Sequence, residues 1–247
     1  LLGAYLVYQL TISLQVDPLV TLLVVVPLFF VVGALMQMLF HSVRLDEFKS
    51  LIVTFGIFII LQSVIQTVWS ADFRRIGPEL NGYETSSILI GDIALPVPSL
   101  MAFLAAVLIA VAMSVVLSRT YFGMAVRAVA QDAQMARAYG VDPNRVAVIV
   151  SGLSTAFSAL AGAFVAIGQT IFPSLAVGWF GIVFPVVILG GLGYTVGALT
   201  AGVVVGVVAG ISTILWGPLA APLVTFILLI GALLFRPQGL LTSRSMA

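Results

Sequence analysis

The residues able to do acid–base, nucleophilic or metal chemistry are scarce in this chain. It has one histidine, His41, and no cysteine. A lone imidazole builds neither a metal cluster nor a Ser/His/Asp relay. Without thiols there is no disulfide and no thiolate metal site. Serines are present, but a serine dyad has no candidate base. No catalytic, cofactor-binding or metal-binding residue is expected, and the chain is read as a non-enzyme. What polarity it has gathers in three places. The stretch "AVRAVAQDAQMARAYGVDPNRV", Ala125 to Val146, holds three arginines, two aspartates, two glutamines and an asparagine. Gln62 and Gln66 lie four apart in an otherwise apolar run. Ser151, Ser154, Thr155 and Ser158 are spaced by three or four, which places them on one helix face.

The first of these reads as a surface helix. Gly123 opens a run rich in Ala, Met, Gln and Arg, which favour helix. Gly140 stands where a left-handed C-terminal cap would close it. Asp142-Pro143 then reads as an N-cap followed by proline at the first helical position of the next element. The predicted helix is about 16 residues, too short and too polar to cross a bilayer. On a wheel Arg127, Gln131, Gln134 and Arg137 share one side, and Val126, Val129, Ala133 and Ala136 gather on the other. A solvated loop or a helix lying on anionic lipid is the plainer reading. The apolar side is mostly alanine, however. Alanine inserts poorly into lipid but allows close approach to another protein, and this favours docking.

The elements around these residues are membrane spans. Only 8% of the chain is charged and 62% is hydrophobic, against about 25% charged in soluble domains. Such a chain cannot cover a water-facing surface. A helix needs ~20 apolar residues to cross. Pro18–Phe40, Leu51–Ser70 and Pro98–Ser118 qualify. Leu1 to about Gln15 starts mid-hydrophobic with no initiator methionine and no basic n-region. It reads as a cut span, with further helix expected upstream. From Val146 to Phe235 there is no Asp, Glu, Lys, Arg or His. That run has room for four spans, with breaks at Gly168–Ser174, Gly190–Tyr194 and Trp216–Pro218. The weak point is 176–189, where Gly178, Gly181 and Pro185 allow a broken or re-entrant helix instead of a full crossing. The expected fold is all-α, a polytopic transmembrane bundle with about eight spans visible and a truncated N-terminus, forming a single domain over 1–247.

Orientation follows from Lys and Arg in short loops. Arg44, Lys49, Arg119, Arg127, Arg137, Arg145, Arg236 and Arg244 fall on one side, which should be the cytoplasm. The 71–97 loop on the other side has Arg74 and Arg75 but also Asp72, Glu79, Glu84 and Asp92. No ionisable residue lies clearly inside a span, so a carboxylate or histidine proton relay is excluded. If the chain is a transporter, its energy is expected to come from somewhere other than its own membrane helices.

Two features of the spans stay open. Gly202, Gly206 and Gly210 continue a four-residue repeat from Ala198, with Gly193 and Gly197 before it. Such a stripe lets two backbones approach closely. It fits tight packing inside this subunit, a helix pair that slides past its neighbour, or contact with a second subunit. Ser151, Thr155 and Ser158 either bond to a neighbouring helix or their own backbone, or line a pathway. Gln62 and Gln66 are expected to face a polar path or the bundle interior, because a primary amide is costly in hydrocarbon without a partner.

The segments "TYFGMAVRAVAQDAQMARAYGVDPNRV", "SGLSTAFSALAGAFVA", "VILGGLGYTVGALTAGVVVG" and "LLFRPQGLL" stand in this order. Together they resemble the membrane permease subunits of branched-chain amino acid ABC importers. "LLGAYLVYQL" resembles the segment after the first helix in that family. The resemblance implies that the 119–145 loop carries the coupling helix, which docks on a cytoplasmic ABC ATPase. Asp132, Ala136 and Gly140 would be the docking residues, with Arg127 and Arg137 flanking. The usual signature begins glutamate-alanine-alanine, so here the acidic role falls to Asp132. The resemblance also implies a paralogous second permease subunit, a periplasmic or extracellular substrate-binding protein and a multi-pass place in the bacterial inner membrane. The coupling loop and C-terminus would be cytoplasmic. Membrane lipid is the remaining partner, and no nucleic acid is expected. Urea and short-amide importers share the pattern and are the chief alternative. An ATP-independent channel or facilitator ranks lower, because it leaves the polar helix without a role. A sugar permease also ranks lower, because its loop is richer in glycine and asparagine.

Overall fold

The computed structural model describes the chain except residues 44–46, 84–85, 91–92, 192, 194, 219 and 236–247, and the side chains at 47, 48, 90, 93 and 235. Arg44, Glu84, Asp92, Leu192 of the GGLG turn, Tyr194, Arg236, Arg244 and the RPQGL tail lie outside the described residues. The helices are α1 (Leu2–Leu14), α2 (Pro18–Ser42), α3 (Glu47–Trp69), α4 (Val97–Arg119), α5 (Tyr121–Gln131), α6 (Ala133–Ala138), α7 (Pro143–Gly168), α8 (Leu175–Gly190), α9 (Thr195–Trp216) and α10 (Ala220–Phe235). Five are long and apolar enough to cross a membrane: α2, α3, α4, α7 and α9. The shorter apolar helices α1, α8 and α10 complete the eight apolar segments read from the sequence. The chain is a polytopic helical bundle. Four of these helices, α7 to α10, fill the stretch from Pro143 to residue 235, with breaks at the expected glycines and Trp216. One element was not expected. Strands β1 (Ser87–Ile90) and β2 (Ile93–Pro96) pair antiparallel as a small hairpin before α4.

Residues 1–104 and 120–173 form one compact unit. Its centre is the α2–α7 pair, with α1 against both. Both helices start with the same device. Asp17 and Asp142 each cap the N-terminus by accepting from the backbone N–H two residues on, at 2.8 and 3.0 Å. A proline fills the first helical position in each. The two helices meet through small residues. A Cβ on Gly33 would collide with Thr155 Oγ1 and come within 2.8 Å of the Ser151 carbonyl. Ala159 and Gly162 of α7 lie against Gly3 and Ala4 of α1 in the same manner. Without water to drive helices together, close backbone approach of this kind supplies the attraction.

Side chains outside the spans tie this unit's far end. Arg74 and Ile171 exchange backbone hydrogen bonds of 2.8 Å in both directions. The Phe73 and Phe172 rings stack edge-on beside them, 5.2 Å apart. Asn81 donates to the Ile167 carbonyl at 2.8 Å, satisfying an orphan acceptor at the end of α7. Tyr83 donates to Asp17 at 2.7 Å.

Residues 105–119 and 174–247 form the other unit. There α8, α9 and α10 pack pairwise around Leu189, Ala201, Val205 and Leu229. Helix α8 runs unbroken through Gly178, Gly181 and Pro185. Its 16 residues span about 24 Å, short of a ~30 Å hydrocarbon core. Proline at 185 removes the N–H that would bond to the Gly181 carbonyl four residues back. Thr225 Oγ1 of α10 reaches that carbonyl instead, at 2.9 Å, sharing its one proton with the Ala221 and Pro222 carbonyls of its own helix at 3.0 and 2.9 Å. A neighbouring hydroxyl thus takes over the bond the proline gave up, and the helix continues.

Candidate docking site and the polar residues of the spans

The polar stretch folds as two helices, not the one predicted. Thr120 caps α5, its hydroxyl accepting from Gly123 N at 3.2 Å. At Asp132 the backbone turns extended, with φ −155° and ψ 107°. There the Asp132 carboxylate accepts from Gln134 N at 2.8 Å and Met135 N at 3.0 Å. Its own N–H still donates to Ala128. Asp132 therefore ends α5 and starts α6. Aspartate offers the backbone N–H groups a side-chain acceptor in place of the helical one, and a single such residue outweighs its helix-forming neighbours. The break separates the two halves of the predicted wheel. Arg127, Gln131, Gln134 and Arg137 are all exposed, and Val126 and Val129 turn half-inward. Ala136 is 4% exposed. Ala133, expected on the inner side, is exposed.

The far end of α6 is fixed as the sequence foretold. Gly140 has φ +83°. Its N–H donates to Arg137, and the N–H of Val141 reaches back to Ala136, each at 3.0 Å. This paired closure needs a left-handed residue, which glycine supplies without a steric penalty. Two residues later Asp142 caps α7 and holds Arg145 Nε at 3.3 Å. Both α5 and α6 touch α7. The segment is thus a chain of caps, Thr120, Asp132, Gly140 and Asp142, that sets the short helices on the end of a long one.

This segment exposes a surface that the sequence reading only half named. Tyr121 is 88% and Tyr139 87% exposed, with Met135 at 62%. Aromatic, methionine and arginine side chains are the types enriched in protein interfaces. The signal was available as large side chains standing within an otherwise polar and alanine-rich run.

The other candidates are dispersed. Ser151 Oγ donates to the Gly33 carbonyl at 3.1 Å, joining α7 to α2. Thr155 and Ser158 donate to the carbonyls four residues back, at 2.6 and 2.9 Å. Gln62 is half-buried and Gln66 exposed on α3, whose buried residue between them is Ile65. Gly202 has only Val186 near the position of an added Cβ, at 3.8 Å, and Gly206 and Gly210 face open space. The row that α9 buries is Gly197, Ala201, Val205, Ala209 and Ser212. It lies one residue, about 100° of helix, from the glycine row. The tightest approach in this unit is at Gly190, where a Cβ would come within 2.6 Å of the Ala198 Cα. Sequence reasoning also passed over Arg74. It donates to the Trp69 carbonyl at 3.0 Å. A hydrogen bond with Tyr8 holds its pKa above an already high value, so it stays charged. Among the described residues no group of acidic, histidine or cysteine side chains could hold a metal ion.

A family model described as branched-chain amino acid transport system / permease component matches residues 1–234. The chain is 25% identical over 194 residues to the high-affinity branched-chain amino acid transport system permease protein BraD of Pseudomonas aeruginosa, covering 77% of this chain and 63% of that protein. It is 31% identical over 135 residues to the LivH permease protein of Salmonella typhimurium, covering 53% of this chain and 42% of that protein. The LivH of Escherichia coli K12 is 30% identical over the same coverage. The chain therefore spans less than two thirds of the length of these relatives. No solved structure matches it significantly. The chain, an apolar multi-helix bundle that the family model matches over residues 1–234, belongs to the branched-chain amino acid transport permease family.

Proposed function

We propose that this chain is the permease subunit of an ATP-driven importer, supplying half of a translocation pathway for branched-chain or related amino acids. The observation that supports this best is the α5–α6 segment. It is too short to cross a membrane, capped at both ends, seated on α7, and faced with Tyr121, Met135, Arg137 and Tyr139. A loop with no mechanical task would not need three side-chain caps and a left-handed glycine closure.

In this reading residues 119–145 form the coupling loop of a single permease domain. Arg127, Asp132, Ala136, Arg137 and Gly140 set its docking surface on a cytoplasmic ABC ATPase. Asp132 works through the backbone, by fixing the angle between α5 and α6. Gln62, Gln66, Ser151, Thr155 and Ser158 line or flank the pathway. Gly202, Gly206 and Gly210, open within their own unit, meet a paralogous second permease. A periplasmic or extracellular binding protein delivers the solute. ATP binding by two ATPases draws the coupling segments together and reorients the helix pair. The chain lies in the bacterial inner membrane with the loop and C-terminus cytoplasmic, and it does no covalent chemistry.

The test is ATP-dependent uptake by proteoliposomes carrying the full-length protein with its co-purified partners and binding protein. Leucine, isoleucine and valine should enter only with ATP. Uptake of urea or short amides instead would move the chain to the alternative substrate class. Solute flux without ATP would make it a facilitator and remove the coupling role.

A further inference from the structure

Between the end of α2 and the start of α7 lies a cleft of about 410 Å³. It is built in two parts. Its floor is mostly apolar, made by Met38, Ala147, Val148 and Ile149, with the Gln37 side chain the one polar group at that depth. Its water-side rim carries His41, Asn144 and Arg145. The walls are set by the tightest helix pair among the described helices, since Gly33 and Ser151 hold α2 on α7 about two turns further in. Both helices pass from charge-free sequence into polar loop at this level. In a membrane, the cleft therefore stands where hydrocarbon gives way to headgroups. Its floor continues into exposed Leu39 and Val150.

We propose that this cleft is a binding site for an anionic glycerophospholipid, which lays an acyl chain on the Met38–Ile149 floor and its phosphate against Arg145. The division of the cleft carries the argument. A free phosphate would use the rim and leave the apolar floor wet. A neutral acyl chain would use the floor and leave the cation idle. A phospholipid satisfies both. Asp142 holds Arg145 through Nε, which orients the guanidinium and leaves its terminal nitrogens for a forked contact with phosphate oxygens. Asp142 has its own use as the α7 cap. The side chain of Arg145 is 86% exposed, so it swings to a headgroup without disturbing the fold. Asn144 and His41 add hydrogen-bond donors at the same level. The site does not depend on the transport reading.

The experiment is native mass spectrometry of the full-length protein in mild detergent, titrated with phosphatidylglycerol or phosphatidylcholine of the same acyl chains. One basic residue near a headgroup is worth about a fivefold preference. The first phosphatidylglycerol should bind about fivefold more tightly than phosphatidylcholine. Arg145→Gln should weaken phosphatidylglycerol more than phosphatidylcholine and bring the two to parity, and Arg145→Lys should keep the preference. Ala147→Trp, which fills the floor, should weaken both lipids alike. The proposal is overturned if the wild-type protein binds both lipids equally or if Arg145→Gln keeps the preference. It is overturned too if millimolar glycerol phosphate displaces phosphatidylglycerol, which would make this a free-anion site. Loss of the first lipid on adding a cytoplasmic partner protein would assign the cleft to that partner.

Discussion

Gly140 offers the sharpest perturbation because the structure separates its two possible roles. At φ +83° an L side chain is strained, at a cost of roughly 1–2 kcal/mol. A Cβ placed there would meet nothing within 4 Å, so the subunit itself offers no steric clash. Substitution therefore acts through the turn alone, unless a partner lies against it. An energy of about 1–2 kcal/mol is a factor of about 5–30 in the population of the capped turn. Losing the turn frees the Arg137 and Ala136 carbonyls and detaches α6 from α7. Asparagine tolerates the left-handed region, alanine does so poorly, and β-branched valine worst. If Gly140 works as a hinge point, ATP-dependent uptake should fall in the order Gly140, Gly140→Asn, Gly140→Ala, Gly140→Val, with valine near background. The amount of protein inserted in the membrane should stay constant. The reasoning is refuted if Gly140→Ala transports normally while Gly140→Asn is dead. That order follows side-chain bulk against a partner, not backbone strain.

Other expectations follow from single contacts. Thr225→Val removes the hydroxyl that answers the Gly181 carbonyl and should destabilise the protein by about 1 kcal/mol, seen as a lower Tm in detergent. Thr225→Ser should not. Gly33→Leu drives a side chain into Thr155 and the Ser151 carbonyl, so folded yield should collapse where Ile65→Leu is tolerated. Asp132→Ala removes the α6 cap at a cost of about 1 kcal/mol. Uptake should drop, and Asp132→Asn, which still caps, should recover most of it. Tyr83 has its pKa raised, chiefly by its hydrogen bond to Asp17. Because the folded pKa lies above the unfolded one, the contribution is complete below the ordinary tyrosine value and is lost as pH rises through the raised one. Protease protection of residues 70–83 should be flat from neutral to mildly basic pH and fail only beyond the tyrosine range, and Tyr83→Phe should abolish it at every pH.

The spans were legible because about twenty apolar residues between polar or glycine breaks leave few alternatives, and the charge-free run resolved into four helices on that ground alone. The Gly140 closure and the Asp142-Pro143 start were legible because each rests on one residue with a strong local preference. The break at Asp132 was not. A run of Ala, Gln, Met and Arg favours helix throughout, and nothing in the pattern shows that one carboxylate will bond two N–H groups instead. The packed row of α9 was left open because small residues recur every four positions on two adjacent faces. Only the neighbours on α8 and α10 decide which face is used. The hairpin at 87–96 was hidden in what read as a loop, although Gly91-Asp92 between short apolar runs is a turn signal.

The central claim is that the α5–α6 surface meets an ATP-hydrolysing subunit. These 247 residues hold no cysteine, so Tyr139→Cys places a single thiol among them on that surface, and Leu89→Cys a control on the hairpin, each made in a full-length protein cleared of any other cysteine. The measurement is short-range cross-linking in native membranes, with the captured partner identified by mass spectrometry. The account predicts that Tyr139→Cys captures an ABC ATPase in a yield that changes with ATP, and that Leu89→Cys does not. Capture of no ATPase by Tyr139→Cys, with lipid alone at that position, would contradict it.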